Sequence, residues 1–290
     1  TKIRGISPKR AMSISASFQQ QMGMRLLVEF LGQHNLPMEL AAPLYRSYGG
    51  AALEALKNDP YLLVGEGFGV EFSLADQLAL DLGLAGDDPL RLEAGLIFEL
   101  THNLNNGHTF LPRGKLLAAS GQLLDIPTEE LEEALERLAL KGQVVEDRVA
   151  GEDAVYLPDL YEAELLVTQR VREMQDSDLL PPERLNDVID RIQRQQGIRY
   201  APQQRQAVEL AARNQMMLLT GGPGTGKTTS LRGVLALFDT MGLETALAAP
   251  TGRAAKRLSE LCGAEASTIH RLLETGFDPQ SGQQVFTHDR

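Results

Sequence analysis

The chain has 290 residues, 43% of them hydrophobic and 23% charged, and its net charge is −11. That length supports two or three domains with buried cores, and no apolar run approaches the roughly 20 residues that span a bilayer, so a soluble protein with no membrane partner is expected. The acidity argues against binding nucleic acid through overall basicity, but residues 1–50 hold 6 Lys and Arg against 2 Asp and Glu, residues 51–200 hold 13 against 29, and residues 201–290 hold 9 against 8, so any DNA contact is expected at the two ends.

In chain order, residues 1–88 read as short helices broken by glycine or proline turns. Leu26, Leu27, Phe30 and Leu31 lie at helical spacing, GQHNLP breaks the run, and a helix follows over 40–48. The rhythm repeats through 51–56, NDPYLL and the glycine-rich VGEGFGVEF to a helix over Leu74, Leu78 and Leu82, with Gly83 as its C-cap. This is a helix-hairpin-helix pattern. Residues 89–160 predict helices at about 91–104 and 113–120 and a third with Thr128 as N-cap and a stripe of Leu131, Ala134, Leu135 and Leu138. A hairpin of GQVVED and DAVYLP around VAGE follows. Helices followed by a wing predict a small winged-helix-like α+β domain, read either as a structural spacer or as a duplex contact, with the acidity favouring the spacer. Residues 161–199 predict a helix and a polar linker, where Pro181 and Pro182 mark a stop and Gln193, Gln195 and Gln196 offer little to bury. From Tyr200 helices alternate with short apolar strands, so residues 200–290 read as the first, incomplete part of a P-loop α/β domain with a parallel sheet.

A predicted strand at 216–220 runs into GGPGTGKTT, where Gly221, Gly226, Lys227 and Thr228 satisfy the G-x-x-x-x-G-K-[ST] pattern. Gly222, Pro223, Gly224, Thr225 and Gly226 form a loop whose backbone N–H groups are expected to cradle phosphates, and Thr229 follows in the first helical turn. Lys227 supplies positive charge for the β- and γ-phosphates, and the Thr228 hydroxyl suits Mg²⁺; these two are the candidate catalytic residues. Just upstream, a glutamine in YAPQQRQAV has an amide that both donates and accepts, matching the N6 and N7 edge of adenine and favouring ATP over GTP, although a glutamine there also suits a solvated helix face. A second predicted strand at 245–249 ends in APTGRAAKRL. Thr251, Gly252, Arg253 and Lys256 then stand at a strand's carboxyl end, where phosphate binds; alternatively Thr251 only caps the helix while Arg253, Lys256 and Arg257 form its solvated face.

These segments resemble a known family. YAPQQRQAV resembles the Q motif, GGPGTGKTT motif I, APTGRAAKRL motif Ia, and STIHRLL the segment after Ia in RecD-like superfamily 1 DNA helicases. YGGAALEALKNDPYLL, GVEFSLADQLALDLG and NGHTFLPRGKLL resemble the N-terminal domains of its long bacterial subfamily. The resemblance implies that Gln204 reads adenine, that Thr251, Gly252, Arg253, Lys256 and His270 contact DNA, and that the fold is RecA-like. It also implies ATP- and Mg²⁺-dependent 5′ to 3′ movement on single-stranded DNA, unwinding at single-strand/duplex junctions, a monomer, and a place in DNA repair and recombination.

Two departures stand out. Glu71 in GVEF puts a negative side chain where hairpin N–H groups would meet phosphate, and no apolar strand ending in Asp-Glu follows residue 230. The Walker B carboxylates, arginine finger and second RecA-like domain are therefore missing, and these 290 residues alone are expected to bind nucleotide weakly without turning it over. The P-loop alone also permits a remodelling ATPase of the AAA+ type, and residues 1–160 permit a docking module with a nucleotide switch. The lone Cys262 excludes an internal disulfide and fits the cytoplasm, and the five histidines lack metal-site spacing, so no structural metal is expected. The chain opens on Thr1 with no secretory pattern, so a natural N-terminus is expected upstream.

Overall fold

The computed structural model describes residues 8–65, 67–104, 106–175, 181–277 and 284–286, and divides into two compact units between Leu165 and Leu166.

The first unit opens with α1 (Pro8–Gln33), longer than the pattern implied: Leu27, Phe30 and Leu31 in its last two turns are buried, whereas Met12, Ile14 and Phe18 are exposed. Asn35, at φ 56°, turns the chain into a short 3-10 turn and α2 (Ala41–Tyr48). After α3 (Ala52–Asn58) the Asp59 carboxylate accepts from Tyr61 N–H at 3.0 Å and starts another 3-10 turn, Pro60–Val64. A hairpin then leads to α4 (Phe72–Asp81); Gly67 and Gly69 take positive φ there, and Val70 N–H bonds Leu63 O at 3.1 Å. Glu71 precedes α4 and is exposed, making no side-chain capping bond.

α5 (Pro89–Leu104), β1 (Phe110–Pro112), α6 (Arg113–Leu124), α7 (Thr128–Leu140), β2 (Val145–Val149) and β3 (Glu152–Tyr156) follow. The three strands form an antiparallel sheet in the order β1-β3-β2, the arrangement of a winged helix. Ala150 and Gly151, both at positive φ, make the two-residue turn that the right-handed twist of paired strands favours. Thr128 is not the cap of α7. That position belongs to Pro127, whose fixed extended backbone starts the helix without a side-chain bond. Glu129, Glu130, Glu132, Glu133 and Glu136 of α7 are all exposed, a face that repels a phosphate backbone.

One continuous core runs from Leu27 to Val155, so the helix-hairpin-helix and winged-helix-like parts share their interior. The Phe72 and Phe98 rings meet at 4.8 Å across α4 and α5. Beside them Arg91, 7% exposed, grips Asp76 with two bonds of 2.8 and 2.9 Å and donates to Gly86 O at 2.8 Å and Leu124 O at 3.1 Å. Tyr61 donates to the same carboxylate at 2.7 Å, and burial together with that carboxylate pushes its phenol well above the ordinary value. Buried Glu93 likewise receives Arg137 at 3.2 Å and Lys141 at 2.6 Å, tying α5 to α7.

α8 (Pro158–Gln175) carries the boundary between the units and has no buried residue. In the second unit the expected polar linker contains α9 (Leu185–Gln196), whose Leu185, Ile189 and Ile192 are buried. Apolar residues at i, i+4 and i+7 make a stripe that the polar residues between them and the glutamines after them obscure. α10 (Pro202–Ala211), α11 (Lys227–Thr240), β4 (Leu247–Ala249), α12 (Gly252–Cys262), β5 (Ala266–Thr268), α13 (Ile269–Leu272), β6 (Thr275–Phe277) and β7 (Gln284–Phe286) complete it. β4 and β5 pair in parallel around α12, as the α/β pattern requires, while β6 and β7 form an antiparallel pair. The strand expected at 216–220 is not formed; Leu218 is 80% exposed there, since a strand needs a hydrogen-bonded neighbour and none pairs with it among the described residues.

Removing Asp76 would leave the Arg91 guanidinium buried without its anion. Asp76→Ala is therefore expected to lower the stability of the first unit by about 3–5 kcal/mol, measured by urea unfolding.

Candidate nucleotide and nucleic-acid site

The phosphate-loop pattern lies at the start of α11. Gly221, Gly224 and Gly226 take φ of 156°, 74° and 82°, and the last two lie where a β-carbon is strained. Space around Gly222 and Gly224 is open, whereas a β-carbon on Gly221 would fall 2.7 Å from Thr225 Oγ1. That hydroxyl donates to Gly222 O at 2.9 Å and closes the loop on itself. Lys227, first residue of α11, folds its ammonium back onto the Gly221 and Gly222 carbonyls, the latter at 2.7 Å. Thr228 and Thr229 follow, half-buried, in the first turn. Ser230, nearly fully buried, reaches Gly226 O at 3.4 Å.

Gln204 comes from α10 and meets this junction directly. A β-carbon on Gly226 would lie 2.0 Å from its side-chain nitrogen, with the Thr229 hydroxyl also close at 3.9 Å. Its oxygen accepts from Ala201 N–H at 3.0 Å, the half of a capping box that an alanine N-cap permits. The amide group is thereby oriented with its donor toward the loop, so Gln204, Gly226 and Thr229 converge at one point.

Sequence reasoning missed the support behind Gln204. Tyr200, just ahead of α10, is 6% exposed; Gln193 accepts from its backbone N–H at 2.8 Å and Gln196 accepts from its hydroxyl at 3.1 Å. Burial raises the phenol above its ordinary value. Arg205 ties α10 to α9 through Asp190 at 2.5 Å and Asn186 Oδ1 at 3.1 Å, and also bonds Glu209 at 3.0 Å. The guanidinium in turn holds the Asp190 carboxyl below the usual carboxylate range. An aromatic residue preceded by glutamines four and seven positions upstream was the one available signal.

The second group of predicted residues lies past the parallel strands. Thr251 caps α12, accepting from Ala254 N–H at 3.2 Å, so the capping reading describes its oxygen. Arg253, Lys256 and Arg257 are exposed and form no ion pair among the described residues. β4 and β5 pair with Ala249 opposite Thr268, so Thr251 and His270 each lie two residues beyond paired carboxyl ends and emerge at the same edge. His270 is exposed and its ring faces Phe286 at 6.4 Å. Among the described residues, none of Thr251, Gly252, Arg253, Lys256 and His270 bonds the phosphate loop.

Residues 20–110 match the family described as the ATP-dependent RecD2 DNA helicase HHH domain, and residues 204–289 match the AAA domain family. Over 289 residues the chain is 31% identical to the ATP-dependent RecD2 DNA helicase of Deinococcus radiodurans, an alignment covering 96% of this chain and 40% of that protein. It is 39% identical over 111 residues to the RecBCD enzyme subunit RecD of Mycolicibacterium smegmatis, covering 30% of this chain and 20% of that one. A third similarity, 51% over 57 residues, is to the ATP-dependent DNA helicase dda of Enterobacteria phage T4, covering 19% and 13%. The chain thus spans well under half the length of these relatives.

A side chain at Gly226 must adopt positive φ and displace Gln204. Gly226→Ala is therefore expected to weaken binding of a fluorescent ATP analogue by about tenfold or more, in an equilibrium titration.

Proposed function

Since the chain belongs to the RecD-like superfamily 1 helicases, we propose that it carries the nucleotide-binding face and part of the DNA track of an enzyme that spends ATP to move 5′ to 3′ along single-stranded DNA and to open duplex at its junctions. The observation that carries this reading is the meeting of Gln204 with Gly226 and Thr229 at the amino end of α11, which brings an adenine-reading amide and a phosphate cradle to one point.

In this reading the loop 222–226 wraps the triphosphate with backbone N–H groups at the positive end of α11. Lys227 exchanges the Gly221 and Gly222 carbonyls for β- and γ-phosphate oxygens, a stronger, charge-assisted contact. The open space at Gly222 and Gly224 and the half-buried Thr228 hydroxyl fit a magnesium-bound triphosphate, with Thr228 as the protein's ligand. Magnesium supplies charge neutralisation on the transferring phosphoryl group. Gln204, held by Ala201 through its oxygen, presents its amide nitrogen to the base as a donor.

DNA meets the other edge. Arg253 and Lys256 on α12 contact the sugar-phosphate backbone, the helix end capped by Thr251 offers Gly252 and its neighbours as N–H donors, and His270 lies on the same edge. The five-glutamate face of α7 favours the spacer role for the winged-helix-like part.

Two substitutions in the full-length protein test this. Lys227→Ala removes charge aimed at the γ-phosphate and is expected to lower DNA-stimulated ATP turnover by roughly 10² to 10⁴-fold; near-normal turnover would exclude Lys227 from the chemistry. Arg253→Ala is expected to weaken single-strand binding at every sequence and to reduce the slope of log affinity against log salt by about 0.7, measured by fluorescence anisotropy; an unchanged slope would leave Arg253 on a merely solvated face.

A further inference from the structure

Gly233 sits in the middle of α11, where glycine is a poorer helix residue than alanine. The reason is a close approach. A β-carbon there would lie 2.6 Å from the Tyr200 hydroxyl, 3.0 Å from Tyr200 Cζ and 2.9 Å from Val208 Cγ2. The tyrosine ring is therefore seated in a notch on the helix that follows the phosphate loop. From the other side α9 grips it: Gln193 holds its backbone N–H, and Gln196 accepts from the hydroxyl at 3.1 Å while its own amide donates to Arg232 O on α11 at 3.4 Å. Gln196 thus bridges the tyrosine to the residue before the notch. Four residues after Tyr200, on the helix whose start Tyr200 anchors, stands Gln204.

We propose that Tyr200 is a positioning residue for recognition of the nucleotide base, its ring seated on Gly233 and held by Gln196 so that α10 presents Gln204 at one fixed place beside Gly226. This rests on the reading of Gln204 as the adenine contact. Phosphate binding draws on the loop and Lys227, none of which bonds Tyr200, so the two functions separate: disturbing the notch alters which base is accepted more than how fast a bound triphosphate is cleaved. A residue that only filled the core would affect ATP and GTP alike.

The test compares steady-state ATP and GTP turnover by the full-length protein on single-stranded DNA. Gly233→Ala drives a methyl into the ring and is expected to raise KM for ATP about tenfold with kcat and KM for GTP held within about twofold, so that the preference for ATP falls by about the same factor. Adding Tyr200→Phe, which removes the atom nearest the new methyl, is expected to restore most of the lost preference. Should Gly233→Ala lose its cooperative unfolding transition, Gln196→Ala carries the test, since it deletes the hydroxyl's acceptor at a half-buried position outside the apolar core and is expected to raise KM for ATP about threefold with GTP unchanged. Parallel changes for both nucleotides, or a fall in kcat alone, would overturn the proposal. Gln204→Ala separates it from its premise. If that variant keeps its preference for ATP, the adenine reading itself fails. If Gln204→Ala loses the preference while the notch and Gln196 variants keep it, only the positioning role falls.

Discussion

Helix α10 approaches α11 as closely as it does because the latter lacks a side chain at both ends of the contact: Gly226, where α11 begins, makes room for the Gln204 amide, and Gly233, two turns on, makes room for Tyr200. Interiors are packed too densely for either β-carbon to be absorbed without a shift. Around this contact the second unit assembles its core, with Val208 and Ala211 of α10 against Val234 and Leu237 of α11 and with Leu185, Ile189 and Ile192 of α9 closing the far side. The geometry of the candidate site is therefore set by packing behind it rather than by the loop alone. The loop's own hydrogen bonds, Thr225 to Gly222 and Lys227 to the carbonyls beside it, close it on itself and leave its orientation to the helices.

The first unit relies on a different device. Its helices and wing bury one apolar interior, but at two seams the structure places ions: Asp76 with Arg91 between α4 and α5, and Glu93 with Arg137 and Lys141 between α5 and α7. Each buried carboxylate has more than one donor, which is what makes such burial tolerable in a low-dielectric interior. Burial and shared donors at these seams join parts that the sequence pattern divides.

What could be read from residue order was what depends on near neighbours. The phosphate loop, the hairpin turn at Ala150 and Gly151, the glycine-rich hairpin before α4 and most helices follow from local backbone preference and periodicity. β1 was missed because three residues are too few to show alternation, and α9 because Gln193 and Gln196, which follow its apolar stripe and read as solvated, bond Tyr200. The Asp76 to Arg91 pair spans 15 positions and two helices, each charge plausible on a solvated face until the fold is known. Gly233 carries no signal of its own in the sequence, because what it makes room for is a tyrosine 33 positions earlier in the chain.

The Arg91 guanidinium has a consequence for how the first unit breathes. One cation bonds the carboxylate of α4, the carbonyl of Gly86 in the connection to α5, and the carbonyl of Leu124 that ends α6. Peeling away α6 alone, or the α3–α4 hairpin alone, strips acceptors from a largely buried charge, so either local excursion is penalised. Backbone amides in α4, α5 and the last turn of α6 are then expected to exchange together, through one shared opening, as a single foldon.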